Sequence, residues 1–386
     1  MLEMFDGKKP DQKVPFTKVK PSALKRATKG EIRPLSYSDI KGVAKLSRET
    51  FSVSGDLSID YLEQTIEKLY EQERYNVPAI LPLISRNSNG EIDGFLGVAT
   101  TTFLYNDEKI LVANCYHLMA DKKARARLVP LKLLQKFMSG PQDFSFADGS
   151  IDVTRKLWDR MGGEAVVGES IYYKVPLRPT SFLLRPVLKK VATPLQNILH
   201  LSGRATDAAA GTLRVPIFHR SKPSLTLVPL HPKLLLQGLD SVRSRYSVFP
   251  RYDQLKIEQK FTLLKDEKRQ GQLHKIAIMD DEKNILGWFI YYSKKGGVCE
   301  VIQAVAIPGR EEDLFNTLTW HAYTMGGVEL SGRLMPSQVG SSFSTKAFCM
   351  PGRMWTLIHS SRDDLKCEMQ SGRVFLTRFE GDLWLI

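Results

Sequence analysis

Residues 110–138 read ILVANCYHLMADKKARARLVPLKLLQKFM, a strand-like run followed by a basic cluster and an amphipathic segment. Residues 110–119 are rich in β-branched and aromatic side chains, which favours a β-strand. Pro130 is tolerated in the first turn of a helix but not deeper, so we expect a helix to begin near Leu128. The basic residues are then expected in the loop before this helix: Lys122, Lys123, Arg125 and Arg127.

The sequence on either side of this stretch predicts a regular order of strands and helices. Apolar periodicity and turn residues indicate each element. In chain order we expect a strand at 32–37, a helix over 40–51 with Ser38 as N-cap, a helix at 60–72, antiparallel strands at 79–85, 94–103 and 110–119, a strand at 143–147, a helix at 151–161 and a closing strand or hairpin at 165–175.

The second half of the chain repeats this order. We expect a strand at 224–230, helices at 232–242 and 252–264, strands at 273–279, 285–292 and 298–307, a helix at 312–323, a strand at 328–335, a short helix near 341–348, and final strands at 355–360 and 373–379. Gly94-Phe95 and Gly287-Trp288 open equivalent strands, at the spacing that separates Glu31 from Ser224. The sequence therefore predicts one fold used twice.

This repetition predicts the domain organisation. Residues 1–30 have eight Lys or Arg, three Asp or Glu and three prolines, which indicates a basic flexible leader. Residues 177–223 combine several prolines with the small-residue stretch 205–211, so we interpret them as a linker. The two folded units are expected at 31–176 and 224–386. Within the linker, Pro186 and Pro194 argue against a long membrane-surface helix.

Composition excludes several classes of protein. Apolar residues are 42% of the 386 residues and charged residues 25%, as in folded soluble proteins. No run of about 18 apolar residues occurs, and the N-terminus has mixed charge where a signal peptide would have an apolar core. The four cysteines are far apart and have no metal-ligand spacing, which predicts a reducing compartment without a zinc site or disulfides. We expect a cytoplasmic protein without a bound metal.

The net charge of +13 favours a partner that bears phosphate or carboxylate groups. A nucleotide cofactor, an acidic carrier protein, a nucleic acid and an anionic membrane surface all meet that description. No RNP, zinc-finger or helix-turn-helix pattern accompanies the charge, so nucleic-acid binding is the weaker interpretation.

The order of elements resembles the GNAT acyltransferase superfamily over residues 31–176 and 224–386. The GNAT motif Arg/Gln-x-x-Gly-x-Gly/Ala corresponds here to Lys123-x-x-Ala126-x-Leu128, in which Leu128 departs from the second small residue. The resemblance implies a tandem α/β (α+β) fold, each half a mixed, mainly antiparallel sheet flanked by helices. It also implies that backbone amides and cations hold the pyrophosphate of acetyl-CoA or another acyl-CoA. The corresponding residues are Leu118, Met119, Lys122, Lys123, Ala124, Arg125, Ala126, Arg127 and Leu128.

A second stretch, residues 150–163, resembles the GNAT helix that ends in Leu-Tyr-x-x-x-Gly-Phe. Trp158 occupies the position of the tyrosine, which in many relatives protonates the departing thiolate. An indole does not titrate, so this role is vacant here or belongs to another residue, for which Tyr116 and Tyr173 are candidates. Core packing is the favoured explanation of Trp158.

Acyl transfer to an amine requires a proton acceptor, and the strand before the basic cluster contains candidates. His117 titrates near neutrality and is our first candidate for the base, with Tyr116 as the alternative. Strand alternation predicts Cys115 and His117 on one face and Asn114 and Tyr116 on the other, so the four would not line one site. Packing alone also explains a single strand histidine and a buried cysteine.

The second half departs further from the GNAT pattern. Its loop has three acids, Glu311, Glu312 and Asp313, where a phosphate would need amides and cations. We therefore expect this half not to bind coenzyme A in the usual way and to contribute to the acceptor site, with Glu300 as an alternative base. Resemblance to tandem GNAT proteins such as mycothiol synthase, and to Fem aminoacyl transferases, makes one active half beside a degenerate half plausible.

The sequence thus predicts an N-acyltransferase that transfers an acyl group, acetyl by preference and not an aminoacyl group, from acyl-CoA to a small-molecule or peptide amine. An acyl carrier protein or an aminoacyl-tRNA as donor would suit the positive charge equally well. A non-catalytic scaffold or ligand sensor is the competing class, which Leu128, Trp158 and the acidic second loop favour.

Overall fold

The computed structural model describes residues 31–50, 57–76, 80–188, 221–266, 271–338, 347–352 and 354–381, with a few residues between 202 and 209. The predicted leader at 1–30 and most of the predicted helix near 341–348 lie outside the described residues.

The described residues form fifteen strands and ten helices. The strands are β1 Glu31–Pro34, β2 Leu83–Arg86, β3 Ile92–Tyr105, β4 Glu108–Ala120, β5 Phe144–Ser150, β6 Glu164–Val166, β7 Ile171–Pro176, β8 Thr226–Pro229, β9 Val248–Pro250, β10 Gln272–Met279, β11 Ile285–Ser293, β12 Val298–Ala306, β13 Glu329–Arg333, β14 Phe348–Pro351 and β15 Trp355–His359. The helices are α1 Ile40–Thr50, α2 Ile59–Asn76, α3 Lys122–Ala126, α4 Val129–Met138, α5 Asp152–Arg160, α6 Pro179–Leu188, α7 Pro232–Val242, α8 Gln254–Asp266, α9 Glu311–Thr324 and α10 Asp363–Gln370.

The first sheet has the strand order β1-β2-β3-β4-β5-β15-β6, and β9 pairs with β3. Strands β1 to β4 are antiparallel neighbours, whereas β4 and β5 are parallel. Helices α4 and α5 pack on one face through an apolar cluster that includes Leu133 and Trp158. Helices α1 and α2 pack on the other face through Val43 and Leu62. The central sheet is therefore covered on both sides.

The second sheet has the order β14-β7-β13-β12-β11-β10-β8. Here too an antiparallel run, β10-β11-β12, is followed by a parallel pair, β12 with β13. Helix α9 packs on one face and helices α7 and α8 on the other. The two sheets repeat one arrangement, which confirms the prediction of a tandem, mainly antiparallel α/β fold.

The two sheets exchange strands. Strand β7 lies in the second sheet, between β13 and β14, although residues 165–175 were expected to close the first unit. Strand β15 lies in the first sheet, between β5 and β6, although 355–360 was expected in the second unit. Strand propensity identifies a strand but not its partner, which is why the sequence does not show this exchange. The boundaries 31–176 and 224–386 stay a prediction.

The segment after α10 also differs from expectation. Residues 373–379 were expected as a strand, but they make only a single bridge, from Val374 to Val248. Val374 and Leu376 pack into a core cluster of the first sheet, and Phe375 and Phe379 into one of the second. The segment therefore fills the space between the two sheets, where alternating apolar residues face two different cores.

Two local predictions require correction. The first N-cap is Ser36, in a capping box with Asp39, and not Ser38. The basic cluster is not all loop, because residues 122–126 form the short helix α3. The expected start of the next helix is confirmed, since Leu128 is the N-cap of α4.

Candidate active site

Strands β4 and β5 separate partway along their length. Their parallel pairing runs from Val112 with Phe144 to Asn114 with Phe146. Beyond Asn114, β4 continues beside β3, whereas β5 continues beside β15. A gap therefore opens at the carboxyl end of the only parallel pair among the described strands of the first sheet. We call it the β4–β5 gap.

A β-bulge in β4 lies next to this gap. Gly97 pairs with Tyr116 and Phe95 with Met119, so His117 and Leu118 together stand opposite Leu96. His117 has a φ of 46°, in the left-handed region. A bulge leaves one residue out of the ladder and bends the strand locally, which changes the direction of the side chains beside it.

The bulge overturns the predicted division of faces. Tyr116 and His117 line one cavity together, because the extra residue breaks the strand alternation. Cys115 lies in the apolar cluster on the opposite face, as a small buried residue. The two candidate bases are thus adjacent, with their rings in an edge contact at 5.2 Å between centroids.

The cavity beside the bulge is almost entirely apolar. It encloses about 330 Å³ including its open mouth, and is lined by Leu35, Ser47, Ile66, Leu69, Tyr70, Pro82, Phe95, Tyr116, His117 and Met119. The Tyr116 ring lies directly over Gly97, where a Cβ would come within 2.3 Å of it. Glycine at this position therefore lets the ring lie against the sheet.

The basic segment after β4 follows a different course from the predicted loop. The carboxylate of Asp121 caps α3 and accepts a hydrogen bond from the Ala124 amide at 2.6 Å. Arg125 Nε donates to the carbonyl of Ala120 at 2.8 Å, which ties its side chain back to the end of β4. Lys122 and Lys123 are exposed. A carboxylate thus occupies the start of α3, so this helix is not the one that offers amides to an anion.

Helix α4 has the more suitable N-terminus for an anion. Leu128 has a φ of 60° and makes no side-chain cap, and Pro130 lies in the first turn. The first-turn amides of a helix have no partner within it, so those of Val129 and Leu131 are available. Burial lowers the pKa of Lys132, and the charge of Arg127 lowers it further. Positive charge is therefore concentrated around these amides. The cofactor-binding segment predicted from the sequence, residues 118–128, does not include Val129 or Leu131.

Two residues at the β4–β5 gap have unpartnered buried polar atoms. Among the described residues, neither Oδ1 nor Nδ2 of Asn114 has a hydrogen-bond partner, and the same is true of Asp148 Oδ2. Asn114 is 2% exposed. The amide groups of a pantetheine arm can donate and accept hydrogen bonds, and would supply the partners that these buried atoms lack. The residues therefore fit an acyl-CoA in the gap. Trp158 is fully buried in the core, as predicted.

The remaining candidate residues lie in the second sheet. Glu300, on β12, is buried and is 3.7 Å from Arg378. Tyr173, on β7, packs against Phe315, and burial raises the pKa of its hydroxyl. The structure does not bring these residues to the bulge at His117, which belongs to the other sheet.

The start of α9 differs from that of α4. Its first turn has the three predicted acids, of which Glu311 pairs with Arg245 at 3.1 Å and Asp313 with Arg310 at 3.1 Å. Carboxylates that complement the helix dipole take the place of an incoming anion.

A charged cluster connects the two sheets. Arg333, on β13, lies 3.3 Å from Asp148 on β5 and 3.8 Å from Glu169. It also donates to Thr356 Oγ1 at 2.8 Å and to the carbonyl of Leu376 at 2.9 Å. Burial raises the pKa of Glu169 to about 7, and Arg333 opposes this shift. Nothing in the sequence indicated these contacts, since their partners are far apart in the chain.

The described residues contain neither a candidate membrane-spanning helix nor a candidate metal site. No helix there has the length and apolar character needed to cross a membrane. No group of three or more His, Cys, Asp or Glu side chains in that part of the chain has the arrangement of a metal site.

No protein-family model and no curated protein matches the sequence. Solved structures do match the fold. A conserved protein from Enterococcus faecalis, described as a probable N-acyltransferase, has a TM-score of 0.55 at 8% identity, over 86% of this chain and 73% of its own. A GCN5-related N-acetyltransferase from Anabaena variabilis has a TM-score of 0.53 at 11% identity, over 85% and 72%. N-myristoyltransferase from Saccharomyces cerevisiae with bound myristoyl-CoA has a TM-score of 0.52 at 11% identity, over 88% and 86%.

Proposed function

We propose that this protein, which has the tandem fold of the GNAT N-acyltransferases, transfers an acyl group from acyl-CoA to an amine. The observation that supports this most directly is the conjunction of the β4–β5 gap with the bulge at His117. A gap at the end of a parallel pair admits an extended arm, and the bulge redirects the side chains at its edge. The unpartnered atoms of Asn114 provide polar contacts for that arm.

The proposed reaction is direct attack. The amine nitrogen bonds to the thioester carbonyl carbon, and the carbonyl oxygen develops negative charge. The C–S bond then breaks and the thiolate of coenzyme A leaves. His117, or its neighbour Tyr116, accepts the proton that the amine loses. Both residues line the cavity beside the bulge.

The first half is the proposed donor site. Lys122, Lys123 and Arg125, together with the amides that begin α4, would hold the pyrophosphate. Leu118, Met119, Ala124, Ala126, Arg127 and Leu128 complete the proposed segment. Arg127 pairs with the buried Asp93. We therefore expect Arg127 to hold this segment against β3 and not to bind phosphate. The three acids at the start of α9 argue that the second half contributes elsewhere, with Glu300 kept as an untested alternative base.

The acyl group we propose is larger than acetyl. The lining of the cavity, which has leucine, isoleucine and aromatic side chains, suits a hydrocarbon chain. The yeast structural neighbour holds myristoyl-CoA, which supports the same direction. Acetyl-CoA, expected from the sequence, remains the alternative.

Thermal stabilisation by coenzyme A, acetyl-CoA and decanoyl-CoA tests the donor. A ligand that binds only the native state raises its stability by mass action. We expect decanoyl-CoA to stabilise the protein most, and the double variant Lys123→Glu, Arg125→Glu to bind it roughly tenfold more weakly or worse. The matched control reverses two exposed lysines of the second half, Lys233→Glu and Lys283→Glu, and should bind as the unaltered protein does.

Other outcomes would replace this proposal. No stabilisation by any of the three compounds would contradict an acyl-CoA donor and turn attention to an acyl carrier protein or to a non-catalytic scaffold. Equal weakening in the loop variant and in its control would show that net charge, and not this loop, determines binding.

A further inference from the structure

Asp148 lies at the carboxyl end of β5, at the edge of the β4–β5 gap. Phe146 pairs with Asn114, and Asp148 follows two residues later, so its side chain lies on the same face of the sheet as Asn114. Its side chain is 2% exposed. A turn at 148–150 is sufficient to explain an aspartate at this position in the sequence.

The two carboxylate oxygens of Asp148 have different surroundings. Oδ1 lies 3.3 Å from Arg333 Nη1 and 3.5 Å from Thr356 Oγ1. Oδ2 is buried and has no hydrogen-bond partner among the described residues. Buried carboxylate oxygens are normally hydrogen-bonded, since loss of hydration is otherwise uncompensated. The unpartnered oxygen therefore points to a donor supplied by a ligand.

The backbone of Gly381 packs closely against Asp148. A Cβ on Gly381 would lie 2.7 Å from Oδ2 and 2.9 Å from the Cβ of Asp148. Any larger residue at 381 would therefore press on this oxygen and displace the carboxylate.

Charge in the surrounding cluster also favours a cationic ligand. Among the described residues, the buried acids near Arg333 and Arg378 are Asp148, Glu169, Glu300 and Glu380. These four acids face two guanidinium groups and the ammonium group of Lys260, and burial raises the pKa of Glu169 and of Glu380. An ammonium ion bound at Oδ2 would add a further cation to this acidic cluster.

We propose that Asp148 binds the acceptor amine as an ammonium ion through Oδ2, and that Arg333 of the second half is the positioning residue for Asp148. This inference rests on the proposed function. It assigns the acceptor class as a primary amine that is positively charged when it binds. It also explains why the second half is required, since Arg333 fixes a carboxylate of the first half from across the junction.

The acceptor nitrogen loses two protons during the reaction. The bound ammonium loses one proton to the base beside the bulge and becomes a neutral nucleophile. Its nitrogen bonds to the thioester carbon, the C–S bond breaks, and the second proton passes to the departing thiolate. The products are an amide, free coenzyme A and one proton left on the base.

Titration of the protein saturated with coenzyme A tests the inference. The probes are ethylammonium and glycinamide, with ethanol as the neutral comparison and sodium chloride to match ionic strength. We expect at least one of the two amines to stabilise the unaltered protein, and Asp148→Asn to weaken that binding roughly tenfold or more, the equivalent of one charge-assisted hydrogen bond. The matched control is Asp207→Asn, a buried carboxylate outside this cluster whose oxygens already accept bonds from Thr180 and Ser181.

Two further variants separate binding from folding. Gly381→Ala keeps the Asp148 charge but brings a Cβ within 2.7 Å of Oδ2, so it should weaken amine binding without altering coenzyme A binding. Arg333→Lys should retain part of the amine affinity that Arg333→Gln loses, because a cation at this position still holds the carboxylate. If Arg333 had a purely structural role, Arg333→Lys and Arg333→Gln would differ in stability but not in amine affinity.

The outcomes distinguish this inference from the proposed function. If coenzyme A and acyl-CoA do not stabilise the unaltered protein, the proposed function fails, and this inference fails with it. If they do, but neither amine binds the unaltered protein, or Asp148→Asn and Gly381→Ala both bind the amine normally, only the assignment of Asp148 is overturned.

Discussion

At the residue scale, two bulky residues of the candidate site have a left-handed backbone. His117 has a φ of 46° at the bulge, and Leu128 has a φ of 60° before α4. Side chains with a Cβ adopt this region at a cost of roughly 1–2 kcal/mol. Such strain persists where the surrounding structure imposes it, and it is concentrated at functional sites.

Leu128→Gly should therefore leave stability unchanged or raise it by up to about 1 kcal/mol, because glycine adopts a positive φ without strain. Leu128→Val should lower stability by more than about 1 kcal/mol, since a β-branched residue is least suited to that region. Urea denaturation measures both. Leu131→Gly is the control, with ordinary helical geometry and a buried side chain, and should cost more than about 2 kcal/mol. A large loss of stability in Leu128→Gly would contradict the inference that the backbone at Leu128 is strained.

Glu169 should make stability depend on pH. Burial raises the pKa of its carboxyl to about 7 in the folded protein, from 4.5. Its contribution is therefore fully present below about pH 4.5 and is lost as the pH rises through about 7. Glu169→Gln should become more stable relative to the unaltered protein on going from acid to alkaline pH, by roughly 2–3 kcal/mol at most. Denaturant titrations on either side of neutrality measure the difference, and parallel curves for the two proteins would contradict it.

At the element scale, α1 and α2 form one wall of the apolar cavity beside the bulge. Ile66 and Leu69 of α2 line it, whereas Leu62, one turn earlier, is buried in the core and does not. The apolar residues of α2 recur at helical spacing and so face the sheet together, and two of them form part of the cavity wall. Acyl-chain preference is thus expected to depend on the side of α2 that faces the sheet.

Ile66→Phe should reduce the affinity for decanoyl-CoA roughly tenfold relative to acetyl-CoA, since the added ring occupies the cavity. Leu62→Phe is the matched control, because it adds similar bulk to the same helix away from the cavity. Both variants should lose about 1–3 kcal/mol of stability from overpacking. Calorimetric titration with the two acyl-CoAs measures the ratio, and an unchanged ratio in Ile66→Phe would contradict the assignment of the cavity to the acyl chain.

At the scale of the whole molecule, the first sheet contains β9 and β15 from the second half, and the second sheet contains β7 from the first. Strand β7 pairs with β13 and β14, and β15 pairs with β5 and β6. The segment from Val374 to Phe379 packs into both cores. The two halves therefore complete each other, and neither contains all the strands of its own sheet.

Residues 31–176 and 224–386, produced separately, should each fail to fold, because each would expose unpaired strand edges and an open core. The full chain should instead unfold in a single cooperative transition. Circular dichroism and near-ultraviolet spectra of the two pieces, alone and mixed, measure this. Cooperative unfolding of either isolated piece would contradict the prediction, while recovery of structure on mixing would support it.

Much of the fold was accessible from the sequence. The strand 110–119, the helix that begins after Leu128 and the repetition of Gly94-Phe95 at Gly287-Trp288 predicted a tandem arrangement, and the structure confirms it. Propensity, periodicity and proline placement act within one element, so they can be identified from adjacent residues. The basic cluster and the pair Tyr116 and His117 were found in the same way.

Tertiary structure alone decided which strands are neighbours, where β4 bulges and which polar atoms are left without partners. The bulge that brings Tyr116 and His117 to one cavity depends on pairing with β3, and the environment of Asp148 depends on Arg333, far away in the chain. Residues distant in sequence cannot be paired from local periodicity, because many partners satisfy the same pattern of burial. The sequence by itself determined the elements and their duplication, and long-range pairing and packing determined the arrangement of the site.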